Sequence, residues 1–166
     1  MLKTVTLIAL LVSDSAASAI HGASLVQKGA DATFDATILG IVDPAHRCEN
    51  GVGLPQQLRI SDCEGRCQFN PGQIYNCELD FLSGGSETHS LTLQIEICMI
   101  ESVSCTVILN VELPNSPVQP GFMYTVKYSI TPDEVLSGQA VEFYTRLFNT
   151  KFDILQVCVT AEIDIL

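Results

Sequence analysis

Tryptophan is missing from this 166-residue chain, and cations and histidines are scarce. Eight Lys and Arg stand against 19 Asp and Glu, a net charge of −11. That balance repels phosphates and anionic headgroups, which excludes nucleic acid as a partner and excludes electrostatic docking on a membrane. A neutral, apolar or cationic partner is what such a surface admits. No segment approaches the ~20 consecutive apolar residues of a membrane-spanning helix. G-x-S-x-G, H-E-x-x-H and P-loop patterns are all absent, so the chain is expected not to be an enzyme and to have no catalytic residues and no cofactor. His21, His46 and His89 are scattered, and the single C-x3-C pair has no second pair at ligand spacing, so no metal is expected. Nor is there an Asn-x-Ser/Thr acceptor: Asn115 is followed by Ser-Pro and Asn149 by Thr-Lys. Without an N-glycan to carry a sorting tag, the extracellular fluid is favoured over the lysosome.

An export signal is present. Met1-Leu2-Lys3 gives a positive start, Val5–Val12 is apolar but too short to span a bilayer, and Ala17-Ser18-Ala19 offers a small-x-small cleavage site. Residues 1–19 therefore read as a secretory signal peptide. Residues 20–39 are mostly small, polar and aperiodic, a loosely ordered extension. Residues 40–166 then form one domain, whose length suffices for a sizeable core.

Within that domain the dominant period is two. Tyr75, Cys77, Leu79 and Phe81 share one face against Asn76, Glu78 and Asp80. Leu91, Leu93, Ile95, Ile97 and Met99 oppose Thr92, Gln94 and Glu96. Strict alternation of this kind marks half-buried strands. Further strands are predicted at Gln57–Ser61, Thr106–Leu113, Phe122–Ile130, Val141–Leu147 and Ile154–Ile165. Pro114, Pro117, Pro120 and Gly121 break the pattern, and Gly84-Gly85-Ser86 reads as a turn. About seven strands and no capped amphipathic helix predict an all-β fold, an antiparallel sandwich. Large apolar residues crowd the inward faces and no tryptophan fills the centre. That composition suits either a packed core or two sheets splayed around a hollow.

Seven cysteines leave one unpaired within a single chain. Cys63 and Cys67 are separated only by Glu64-Gly65-Arg66, and Gly65 permits the tight turn such a loop needs. Cys98 points outward and can reach Cys105 across a short turn, or pair otherwise. Cys77 points inward and is the expected free thiol. Cys48 opens the ordered region, while Cys158 lies in the last strand with its side chain away from the core. A bridge between these two would close a loop of about 110 residues, worth roughly 4–5 kcal/mol by the chain-entropy estimate.

Three blocks carry a resemblance to the ML (lipid-recognition) family, which includes the Niemann–Pick type C (type 2) sterol carrier and the group 2 mite allergens. The first is C-x14-C-x3-C followed by QFNPGQIYNCELDF, with Cys63, Cys67, Phe69, Gly72 and Tyr75 to Phe81 at the matching places. The second is SPVQPGFMYTVKYSI, where Pro117, Val118, Gly121, Tyr124, Val126 and Tyr128 fit. The third is the terminal strand LQVCVTAEIDI, whose lone cysteine pairs, in that family, with the first cysteine of the domain. Ser116 stands where the family has the second cysteine of its middle bridge, with Leu109 or Asn110 near the first. The family's proline-rich receptor-contacting loop is not found.

The resemblance covers roughly residues 40–166. It implies an immunoglobulin-like sandwich with an apolar cavity between the sheets, stapled by bridges 48–158 and 63–67; a 98–105 bridge, expected from the short turn between those cysteines, would be displaced from the family's middle bridge. It implies a secreted, monomeric carrier for a small hydrophobic ligand (a sterol, a fatty acid or a related lipid), with a membrane or receptor protein as the partner for cargo exchange. Inward-facing Phe81, Leu93, Ile95, Ile97, Val111, Tyr124, Val126, Tyr128, Phe143 and Val159 would line the cavity, with tyrosine hydroxyls meeting a polar headgroup at its mouth. Each of these positions reads equally as ordinary core. The other functional class is a secreted innate-immune recognition module that captures microbial lipids and engages a protein receptor through the acidic surface.

Overall fold

A computed structural model of the chain describes residues 19–27, 38–102 and 104–166. Residues 1–18, most of the expected signal peptide, lie outside the described residues. The described part is an antiparallel β-sandwich. Its strands are β1 (Ala19–Gln27), β2 (Leu39–Ile41), β3 (Ala45–Arg47), β4 (Leu54–Ser61), β5 (Cys67–Phe69), β6 (Tyr75–Leu82), β7 (Leu91–Met99), β8 (Ser104–Glu112), β9 (Met123–Thr131), β10 (Ala140–Asn149) and β11 (Ile154–Ile165). One sheet runs β1-β9-β6-β4-β2 and the other β3-β11-β10-β7-β8. β5 joins the second sheet beside β11, in parallel.

The seven long strands β4 and β6–β11 are those that alternation predicts. Side chains on the inner faces are Leu91, Leu93, Ile95 and Ile97 from β7, Val141, Phe143 and Leu147 from β10, and Tyr124, Val126, Tyr128 and Ile130 from β9, all buried. The faces turned away carry charge in register. On the first sheet, Arg59 donates to Asp80 at 2.8 Å and to Glu78 at 2.8 Å, and Lys127 pairs Glu78 at 3.0 Å. Arg59 sits opposite Glu78 on β6, and Glu78 opposite Lys127 on β9. Such cross-strand pairs stabilise the ladder and hold the register.

Part of the expected extension forms a strand. Ala19–Gln27 runs antiparallel to β9, from Ala19 opposite Thr131 to Gln27 opposite Tyr124. The reason is the backbone of β9: on its side away from β6 it carries donors and acceptors that need partners, whatever side chains supply them.

Three disulfides join Cys48 to Cys158, Cys63 to Cys67 and Cys98 to Cys105, and Cys77 is a buried free thiol. Cys158 faces away from the core yet is fully buried, because the chain after Cys48 lies over it. There Gly53 N–H donates to the Gln156 carbonyl at 2.7 Å and Val52 N–H to that of Leu155 at 3.1 Å. Gly84 lies against the same segment; a Cβ there would stand 1.9 Å from the Val52 carbonyl oxygen, so only glycine fits.

Candidate functional site

The ten residues expected to line a cavity come from both sheets and converge on the space between them. Phe81 lies on β6, Tyr124, Val126 and Tyr128 on β9, Leu93, Ile95 and Ile97 on β7, Phe143 on β10 and Val159 on β11, and all nine are buried. Val111 on β8 is the exception, with 38% of its surface exposed. It stands opposite Leu93 and so faces the same way. However, β8 is the outermost strand of its sheet, so the position is only partly covered. Val111 is therefore not part of the buried core.

Side chains of the two sheets meet across the middle of the sandwich. The Tyr128 ring stacks on Phe143 of the facing sheet, centroids 6.5 Å apart. The Tyr128 hydroxyl and Thr145 Oγ1 are hydrogen-bonded at 2.6 Å, both buried, so a polar bolt ties β9 to β10 across the core. Cys77 lies beside Tyr128 in the same interior, where burial pushes its thiol far up, only partly opposed by hydrogen bonding to Tyr128. Burial likewise raises the Tyr128 phenol, with the Cys77 side chain adding to the shift. Both groups stay neutral at physiological pH.

All four tyrosine hydroxyls have protein partners. Tyr75 and Tyr124 accept from the backbone N–H groups of Asn70 and Gln119, at 2.7 and 2.9 Å. Tyr144, on the outer face, donates to Glu142 at 2.7 Å.

An opening exists at one edge, where β4 of the first sheet faces β3 and β11 of the second. A groove of about 330 Å³ runs along this seam. Its floor is made by Val42, Leu58 and Val159, each buried in the core cluster. Ile41 and Leu54 form apolar walls that remain exposed, and Pro55, Gln56, Gln57, Asp43, His46 and Arg47 complete the rim. Of the ten predicted residues only Val159 lines this groove. Register explains the arrangement. Val159 pairs Arg47, so both side chains take the inner face, whereas His46 pairs Thr160 and turns outward. Strand β3 is only three residues long, so the sheet stops short there and leaves the seam uncovered.

The sequence reading missed Val42, Leu54, Leu58 and Arg47: Leu58 falls in the predicted strand 57–61 without being assigned to a groove, Leu54 lies before that strand's predicted start, and Val42 and Arg47 lie in or beside the shortest strands. β2 and β3 are too short to show a period, and nothing local says that β3 pairs with β11. The available signal was Leu54 and Ile41, apolar residues beside polar ones that no alternation absorbs.

Elsewhere Glu96, Cys98 and Cys105 come close enough to suggest a cation site, but the two sulfurs are joined in a disulfide and offer no thiolate. Ser116 is fully buried; it accepts from the Leu91 N–H at 2.7 Å and donates to the Leu113 carbonyl at 2.9 Å. It thus ties the 113–116 turn to the start of β7 by hydrogen bonds rather than by a disulfide.

With this geometry in hand, comparison with solved structures shows the fold. The chain is similar to a Niemann–Pick type C2 protein from Japanese carpenter ant, with a TM-score of 0.57 and 14% identity over 73% of this chain and 98% of that one. It is also similar to the C-terminal domain of wzt, at TM-score 0.55 and 10% identity over 78% and 83% of the two chains. No protein-family model matches the sequence, and no curated protein sequence does either. The fold is that of the Niemann–Pick type C2 protein, an immunoglobulin-like sandwich with three disulfides in this chain.

Proposed function

We propose that this protein is an exported, non-catalytic carrier of a small hydrophobic molecule, which enters between the two sheets through the groove at the β3–β4 seam. The observation that carries the reading is an open groove of about 330 Å³ whose floor, Val42, Leu58 and Val159, is continuous with the core. Ligand pockets of proteins begin at roughly 300 Å³, and this groove reaches that size with an apolar floor and a rim that contributes about as much polar as apolar surface. The likeness to a Niemann–Pick type C2 protein supports the same reading. Export is supported by the three disulfides, which persist in oxidising compartments. A non-catalytic role is supported by the one free thiol, Cys77, being buried and neutral and so a poor nucleophile.

The test uses two matched substitutions. Leu54, 44% exposed, lines the groove, whereas Val107, 46% exposed, lies on β8 at the far edge of the same sandwich. Placing Glu at either costs little stability, about 0.5 kcal/mol or less for surface positions. Leu54→Glu lowers affinity for a neutral acyl ligand by about tenfold or more, because a carboxylate must be desolvated beside the chain. Val107→Glu leaves affinity unchanged. Equal loss in both variants, or in neither, rules out the seam as the entry. Organic extraction of the purified protein followed by mass spectrometry then identifies the cargo, and a protein that carries and binds no lipid is not a carrier.

A further inference from the structure

We infer that the seam groove selects an amphiphile with a single acyl chain and an anionic head, a fatty-acid carboxylate, and that Arg47 is the residue that receives the head. The inference rests on the carrier reading and deepens it. Three observations converge on Arg47. First, register places it on the inner face of β3, beside Val159 on the groove floor. Second, its charge is not neutralised. Arg59, Arg66 and Arg146 each pair with carboxylates, whereas among the described residues Arg47 has none as a partner. Third, it is held in place. Nε donates to the Glu49 carbonyl at 3.1 Å and Nη2 to the Gly51 carbonyl at 2.6 Å, which leaves Nη1 with no acceptor among the described residues.

A guanidinium fixed by backbone carbonyls keeps its full positive charge and pays little further entropy when it binds an anion. In a protein of net charge −11, a lone uncompensated arginine beside an apolar floor is matched by a ligand that is apolar along its length and anionic at one end. Asp43 also lines the groove. It lies before β3, beyond Ala45, with its N–H bonded to the Gly65 carbonyl at 3.0 Å. Asp43 therefore disfavours an anion at that end and leaves the Arg47 end as the place for the head. The volume, at the small end for ligand pockets, fits one flexible chain better than a rigid fused-ring body.

The experiment compares laurate with dodecanol, which share a chain and differ in the charge of the head, by displacement of the neutral probe N-phenylnaphthylamine from the whole protein. Laurate is expected to bind about tenfold more tightly, the size of one charge-assisted hydrogen bond at a part-exposed site. Arg47→Gln removes that preference, read as the ratio of the laurate and dodecanol affinities in the same variant, and Arg47→Lys keeps part of it. The preference also shrinks as salt is raised, since the head is near solvent. Equal affinities for laurate and dodecanol in the unaltered protein overturn the inference while the carrier reading stands. A preference for laurate that survives in Arg47→Gln overturns the assignment to Arg47, whose role is then to cap the 49–51 turn and guard the edge of β3. Binding of neither ligand overturns both readings.

Discussion

At the scale of single residues, the polar groups inside this sandwich decide more than the apolar ones. Tyr128 and Thr145 are both buried and have each other as partners across the core. Tyr128→Phe strands the threonine hydroxyl and costs about 1–3 kcal/mol, the penalty of a buried unsatisfied group. Adding Thr145→Val removes the stranded group and recovers most of that loss. Urea unfolding of the two single variants and the double variant closes the cycle, and additive losses would show that the bolt is not a coupled pair. Cys77 gives a second check. Its thiol is buried, so a disulfide-exchange reagent should find no fast thiol in the folded protein and one in denaturant. Alternation showed that Tyr128 and Cys77 face inward. It could not show what they touch, because the partner strand's register is not written in the strand itself. Arg47 was illegible for the same reason.

Among the elements, length decided what could be read beforehand. Long strands whose inner face is consistently apolar repeat the two-residue period often enough to be recognised, as in β7 and β10, whereas the nine residues of β1 carry no such alternation. β2, β3 and β5 have three residues each, too few for any period, and they exist because long neighbours offer open backbone groups. β2 and β3 help build the seam beside the longer β4, so two of the least legible elements shape the candidate site. The disulfides at this level have unequal weight. Cys48–Cys158 spans 110 residues and Cys63–Cys67 spans 4. Chain entropy then predicts a loss of roughly 5 kcal/mol when the first is removed and roughly 2 kcal/mol for the second. Comparing urea midpoints of Cys48→Ala/Cys158→Ala with Cys63→Ala/Cys67→Ala tests the ranking. An equal effect would mean that the long bridge merely decorates contacts such as Gly53 to Gln156 that already hold the segment in place.

For the whole molecule, the question is whether two tightly bolted sheets can take in a chain at all. The bolt at Tyr128–Thr145 spans the middle, whereas the β3–β4 edge is open, and the groove there is bounded on one side by the core residues Val42, Leu58 and Val159. Affinity across a series of neutral n-alkanols should therefore rise with chain length and then level or fall once the groove is filled. Each methylene contributes at most ~0.8 kcal/mol while it still finds apolar wall to cover. Moderate salt should leave this series unchanged, because buried apolar contacts are not screened. If the sheets part further to admit cargo, the maximum moves to longer chains than a groove of about 330 Å³ holds, and Tyr128→Phe, which loosens the bolt, moves it further still. A recognition module acting through its acidic exterior behaves in the opposite way: alkanol length has no effect, and a basic partner binds with an affinity that drops steeply as salt rises. Titrating the alkanol series at two ionic strengths, with and without Tyr128→Phe, separates a fixed groove, an expandable one and a surface-only role, and a flat dependence on length removes the carrier reading even though the fold stands.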